Sequence, residues 1–180
     1  MPHSLPTAQA DRTGLVERPG GAYVAQHRAV AELVAGRVAQ ETGVARSWDL
    51  VYQSRSGPPT QPWLEPDVSD HLEQLAVDGV PSVVLVPVGF VSDHMEVVYD
   101  LDTLARETAD RLGLPMTRAA TPGTDPRFVA MAVELVRERL DDVPPQRRTA
   151  LSSLGPWPDV CAAGCCPNPR GPRPAVAGDD

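Results

Sequence analysis

The run from Val83 to Val91 is apolar and stops abruptly at Ser92-Asp93-His94-Met95-Glu96. Within it, Ser82 to Val88 is rich in β-branched residues, with apolar side chains on both faces. A strand of that kind belongs in a parallel sheet covered by helices. A strand that ends in carboxylates and a histidine delivers them to the mouth of an α/β sheet, where such proteins handle metals or protons. Asp100 follows one helical turn after Glu96.

The rest of the chain supplies the matching alternation. Residues 20 to 43 predict a helix, with Val24, His27, Val30, Val34 and Val38 at helical spacing, Pro19-Gly20-Gly21 at its entry and Gly43 at its end. Thr7 to Arg18 is polar and poorly periodic, as a surface loop would be. Trp48 to Arg55 reads as a strand broken by Gly57-Pro58-Pro59. Asp67 to Val77 predicts a second helix, with Leu72, Leu75 and Ala76 inward, ended by Asp78-Gly79. Thr103 to Leu112 predicts a third, stopped by Gly113, and a short strand follows at Met116 to Ala119. Asp125 then caps a last helix with Pro126 in its first turn and Phe128, Met131, Leu135 and Leu140 facing inward. The order predicts an α/β domain over residues 1–140, a doubly wound, Rossmann-like parallel sheet with helices on both faces.

Residues 141–180 differ. Eight of these forty are proline, against twelve in the preceding 140, so the segment cannot build a normal packed core by itself. It reads either as a disordered extension or as a segment folded around a metal by its cysteines.

Composition narrows the function. Hydrophobic content of 42% can fill a core, and a net charge of −8 argues against a nucleic-acid partner. All sixteen basic residues are arginine, as in proteins of GC-rich genomes. The apolar run, interrupted by Pro87 and Gly89, is far shorter than the ~20 residues that span a bilayer. No basic, apolar, small-residue leader opens the chain, which predicts a cytoplasmic protein.

Several residues could carry chemistry. On a helix Asp93, Glu96 and Asp100 share one face, and a cation would offset their mutual repulsion. The alternative is a capping box, whose spacing Asp93 and Glu96 also have. His3 sits in the stiff segment Pro2-His3-Ser4-Leu5-Pro6, and neutral imidazole can take a proton near neutral pH or bind Fe(II). Tyr52, Gln53, Ser54 and Arg55 end the other strand; polar residues there form a site or an ordinary loop. Trp63 is a lid over a flat aromatic ligand or a core filler. Cys161, Cys165 and Cys166 lie within six residues and suggest soft-metal ligation rather than a disulfide scaffold. They could serve zinc, or an iron–sulfur centre, which usually takes four ligands.

These segments resemble, in order and spacing, the C-terminal half of ferrochelatases. His3-Ser4-Leu5-Pro6 is similar to the family's His-Ser-Ile/Leu-Pro loop, Tyr52-Gln53-Ser54-Arg55 to its Tyr-Gln-Ser-Arg/Lys strand end, and Trp63-Leu64 to its Trp-Leu pair. Ser92-Asp93-His94-Met95-Glu96 with Tyr99-Asp100 is similar to its Ser-Asp-His-Ile-Glu-Thr-Leu-Tyr-Glu motif. The resemblance implies insertion of Fe²⁺, as substrate, into a porphyrin, with His3 and Glu96 facing each other across the macrocycle. Asp93 and Asp100 would extend a metal-handling row, and Tyr52, Gln53, Ser54, Arg55 and Trp63 would bind the porphyrin. The cysteine-bearing C-terminal segment resembles that of actinobacterial members, which metallate coproporphyrin III to coprohaem. It implies a [2Fe–2S] cluster on Cys161, Cys165 and Cys166, with a fourth ligand unassigned. The family's N-terminal half, and the strand that should hold His3, are expected to be missing, so the chain looks truncated. The rival readings are a chelatase for cobalt or another metal, and a non-catalytic iron–sulfur or metal-sensing module.

Overall fold

A computed structural model describes residues 1–14, 19–58, 60–162, 165 and 171. Its elements run α1 (Thr7–Ala10), α2 (Gly21–Thr42), α3 (Val68–Val77), β1 (Val83–Leu85), α4 (Met95–Val97), a π-helical stretch (Val98–Ala105), α5 (Arg106–Leu112), β2 (Met116–Arg118) and α6 (Pro126–Leu140), followed by a 3₁₀ turn (Pro145–Arg147).

The protein is α/β, and its regular sheet is the parallel pair β1–β2, in register Val83 to Met116 and Leu85 to Arg118. The strand expected over Ser82–Val88 is regular only in its first half. Pro87 has no N–H to offer a ladder, and the chain turns there, with Val88 N donating to Val86 O at 2.9 Å. Trp48–Arg55 is extended as expected, but it pairs through single parallel bridges, His3 to Gln53 and Tyr52 to Asp67.

His3 was expected to lack a supporting strand; residues 1–4 themselves supply the support. Met1 N donates to Val86 O at 2.6 Å on one side. On the other, Gln53 N donates to Pro2 O at 3.1 Å and Ser4 N to Gln53 O at 2.7 Å. The short extended segment thus bridges the regular sheet and the 50–53 segment.

Side chains alternate along these segments, so each has two faces. Met1, Val51, Leu85 and Met116 point to one side, where α3, the π-helical stretch and α5 cover them with Leu72, Leu101, Ala105 and Ala109. That is the core. Val97 and Leu101 are fully buried in it, which fixes the rotation of the helix carrying Glu96 and Asp100.

The other face belongs to the start of α2. Tyr23 and His27 stack at 4.5 Å between ring centres, and Gly89 lies so close to Pro2 and His27 that a Cβ there would stand 2.7 Å from Pro2 Cα. Beyond these turns the expected inward face of α2 is uncovered: Val30, Val34 and Val38 are exposed.

Two expectations fail nearby. The Thr7–Arg18 loop begins with the helix α1, because Pro6 O accepts from both Gln9 N and Ala10 N and Ala10 is fully buried; residues 15–18 lie outside the described set. Helix α6 is capped by Asp125 as predicted, its side chain accepting from Arg127 N. Yet Met131, Leu135 and Leu140 are exposed, and the buried residue is Glu138, paired with Arg139 at 2.9 Å. The apolar stripe is present, but nothing among the described residues covers it.

The described part of 141–180 packs back on the domain through ion pairs and one aromatic contact. Asp159 is held by Arg139 and Arg148, each at 2.6 Å, and Trp157 lies against Gly14. No helix among the described residues is long and apolar enough to cross a membrane.

Candidate functional site

His3 comes from the extended segment at residues 1–4, and Glu96 from α4, the first helix after β1. They are 93 residues apart, yet His3 Nε2 stands 3.3 Å from Glu96 Oε1, both partly open to solvent. The backbone bonds to Gln53 fix His3, and the Tyr23 hydroxyl donates to its carbonyl at 2.7 Å. The His3 ring also bonds through Nδ1 to Ser4 O. Glu96 projects from α4, whose start is capped by His94, the imidazole Nδ1 accepting from Val97 N at 3.4 Å. His94 is further held edge-on against Phe90, so it is a structural cap.

Asp100 sits one turn on, half-buried. Its Oδ2 accepts from the Ser54 hydroxyl and, at 3.5 Å, from Gln53 Nε2. Ser54 has a left-handed backbone, φ 62, which a non-glycine residue adopts at a cost. That bend turns its hydroxyl towards Asp100. Three groups from three stretches of chain, His3, Glu96 and Ser54–Asp100, therefore share one mouth at the ends of the parallel segments.

Asp93 does not join them. It precedes α4 and accepts from Arg118 at 3.1 and 3.3 Å, while Asp102 takes the same guanidinium at 2.6 and 2.8 Å. The helical row expected for Asp93, Glu96 and Asp100 breaks because the helix begins at Met95 and then winds as π, with wider turns. These two carboxylates push the Arg118 guanidinium above its ordinary value, Asp102 being the larger cause. Sequence reasoning missed Arg118. Its place at the C-terminal edge of β2 was the available signal, the same one that marked Tyr52–Arg55.

The Tyr52–Arg55 set is divided by the two-residue period. Tyr52 is buried and faces the α2 side, where it lines a hollow of about 440 Å³ with Val24, Arg28 and Trp48. Burial raises its hydroxyl pKa. Gln53 is fully buried on the opposite side, and its Oε1 has no partner among the described residues. Arg55 is exposed and pairs with Glu65 at 3.4 Å. Trp63 is half-buried against Gly57, and its Nε1, like Gln53 Oε1, has no partner among the described residues. An unpaired buried polar atom costs about 1–3 kcal/mol.

Of the cysteines, Cys165 is buried and Cys161 half-exposed. Cys166 lies outside the described residues, which contain no group of three potential metal ligands. Three thiols also fall one short of the four that a [2Fe–2S] centre takes, so the described residues do not by themselves fit a cluster.

Arranged this way, the mouth can do two things. His3 and Glu96 touch at 3.3 Å, so they do not face each other across a macrocycle as expected but form one pair that can take up protons from a molecule bound over it, and oxygen and nitrogen donors together can receive a divalent cation. A family model described as ferrochelatase matches residues 1–140. The chain is 57% identical over 182 residues to a coproporphyrin III ferrochelatase of Streptomyces coelicolor, covering 99% of this chain and 48% of the relative. It is 57% identical to one of Frankia alni over 93% of this chain and 42% of the relative. It is 46% identical to a ferrochelatase of Rhodopirellula baltica over 98% of this chain and 46% of the relative. The chain thus spans about half the length of the curated relatives it matches.

Proposed function

Because the chain belongs to the ferrochelatase family, we propose that it forms the His3–Glu96 wall of an enzyme that inserts Fe²⁺ into a porphyrin, with coproporphyrin III as the substrate. The observation that carries this reading is the 3.3 Å approach of His3 Nε2 to Glu96 Oε1 at an open mouth. The names of the relatives support the choice of porphyrin.

Metallation removes two protons from pyrrole nitrogens and strips water from the iron. In this reading His3 and Glu96 receive the pyrrole protons, and Asp100, oriented by Ser54, hands hydrated iron or protons between mouth and solvent. The exposed Arg55 and the half-buried Trp63 would contact the macrocycle edge. Tyr52 and Gln53 act from behind. Asp93, engaged by Arg118, shapes the entry to α4.

The test is a chimera in which this chain replaces the matching half of one of the relatives. Coproporphyrin III and Fe²⁺ are supplied anaerobically, and the porphyrin spectrum is followed. His3→Ala and Glu96→Gln should each abolish metallation while fluorescence quenching on porphyrin binding survives. Near-native turnover by either variant overturns the assignment. A chimera that prefers Co²⁺ in direct competition would move the reading to a cobalt chelatase.

The finer reading of Cys161, Cys165 and Cys166 as ligands of a [2Fe–2S] cluster rests on thiolate chemistry and needs a fourth ligand. It predicts visible absorption with matching iron and acid-labile sulfide in anaerobically purified protein. Colourless protein that lacks both rejects it.

A further inference from the structure

Gln53 is fully buried, so it cannot touch a macrocycle at the mouth. Its two chemical ends nevertheless reach both halves of the site. Its backbone exchanges hydrogen bonds with the segment that carries His3, through Pro2 O and Ser4 N. Its side-chain Nε2 donates to Asp100 Oδ2 at 3.5 Å and to the Ser54 hydroxyl oxygen at 3.2 Å. Turning the amide over would set Oε1 against the Asp100 carboxylate, acceptor against acceptor, so only one orientation is favourable. In that orientation Oε1 stays without a partner among the described residues.

We propose that Gln53 is the positioning residue of this site: its backbone sets the register of His3, and its amide, with the Ser54 hydroxyl, aims Asp100 at the mouth. This rests on the proposed function only for what Asp100 then does. The orientation of Asp100 is a separate claim. A leucine at 53 keeps the backbone bonds and the volume class and removes both amide contacts, so it should loosen Asp100, left on the Ser54 hydroxyl alone, and leave His3 and Glu96 as they are.

The experiment uses the chain labelled with ¹⁵N and ¹³C, first without metal. In Gln53→Leu the Asp100 carboxyl carbon and the Ser54 amide should shift, while the His3 ring and Glu96 carboxyl signals keep their positions. From the other side, Asp100→Ala should shift the Gln53 side-chain amide pair, a readout that holds whether or not Gln53→Leu folds. The proposal is overturned if the Gln53 amide pair ignores Asp100→Ala. It is equally overturned if Gln53→Leu moves His3 and Glu96 as much as Asp100, which is the behaviour of a general core residue. Mn²⁺ is then added as a relaxation probe. In the unsubstituted chain it should broaden Glu96 and Asp100 together, and in Gln53→Leu several-fold more Mn²⁺ should be needed for the same broadening. If Mn²⁺ broadens neither carboxylate in the unsubstituted chain, the cation-handling reading fails, while the metal-free shifts still decide the role of Gln53.

Discussion

Arg118 binds Asp102 and Asp93 at once, from a side chain only 15% exposed. Removing it leaves two carboxylates facing each other with no cation between them. Arg118→Met should lower stability by about 1 kcal/mol, since both acids are partly solvated and screened. The loss should shrink at high salt, a dependence readable from urea midpoints at two ionic strengths. The same pairing explains a limit of residue-level reading. Side-chain chemistry and the motif resemblance pointed to His3, Glu96 and Asp100; His3 meets Glu96, and Asp100 follows one turn later on Ser54 and Gln53. Spacing also grouped Asp93 with them, because a three-four period assumes a helix that has already begun. Which acid an arginine 25 residues away will take depends on strand register, and no local period records it.

At the scale of elements, the extended segment Met1–Ser4 and the first turns of α2 act as one unit. Gly89 fits between them. Gly89→Ala would put a methyl group 2.7 Å from Pro2 Cα and 3.0 Å from His27 Nε2, and should cost about 1–3 kcal/mol through overpacking. Because the displaced segment carries His3, the His3 ring signals should also move, and a thermal melt together with an NMR spectrum checks both. His27 adds a pH dependence. Burial holds its imidazole below the ordinary 6.5, against an opposing pull from the Tyr23 carbonyl. The unfolded chain therefore takes the proton first as pH falls. Stability from this group is complete above 6.5 and drains as pH drops through the native value. His27→Gln should flatten that part of the profile of urea midpoint against pH. The element boundaries were legible where chemistry punctuates them: Gly20 and Gly43 bound α2, Asp125-Pro126 opens α6, and Gly113 closes α5. The π winding of Val98–Ala105 was not legible. A π turn and an α turn use the same residue types, and the difference lies in how Val97, Leu101 and Ala105 seat in the core.

For the whole molecule, the main physical fact is uneven cover. One side of the sheet is packed by α3, the π-helical stretch and α5. The other carries α2, whose Val30, Leu33, Val34 and Val38 are all about two-fifths exposed, and α6 likewise shows Val129, Leu135 and Val136 to solvent. Apolar area of this kind is unusual on a free surface. The chain should bind a hydrophobic dye such as ANS in its native state, and serine at Val30 and Val34 should lower the dye signal without lowering the thermal midpoint. An unchanged signal would place the dye elsewhere. The helical stripes were legible in the sequence as periods, and periods say that a face is apolar. They do not say what covers it, because cover comes from elements whose position depends on chain path.

Composition and local pattern alone determined the α/β class, the order of its elements and the breaks at glycine and proline, and marked His3, Glu96 and Asp100 as candidates. Each of these follows from interactions within a few residues, or from side-chain chemistry that is the same in any fold. The approach of His3 to Glu96, the diversion of Asp93 to Arg118, the burial of Gln53 behind Asp100 and the split of Tyr52 from its neighbour came from packing. They depend on contacts between residues tens of positions apart, which exist only once the parallel segments have set their register and the core has chosen its face.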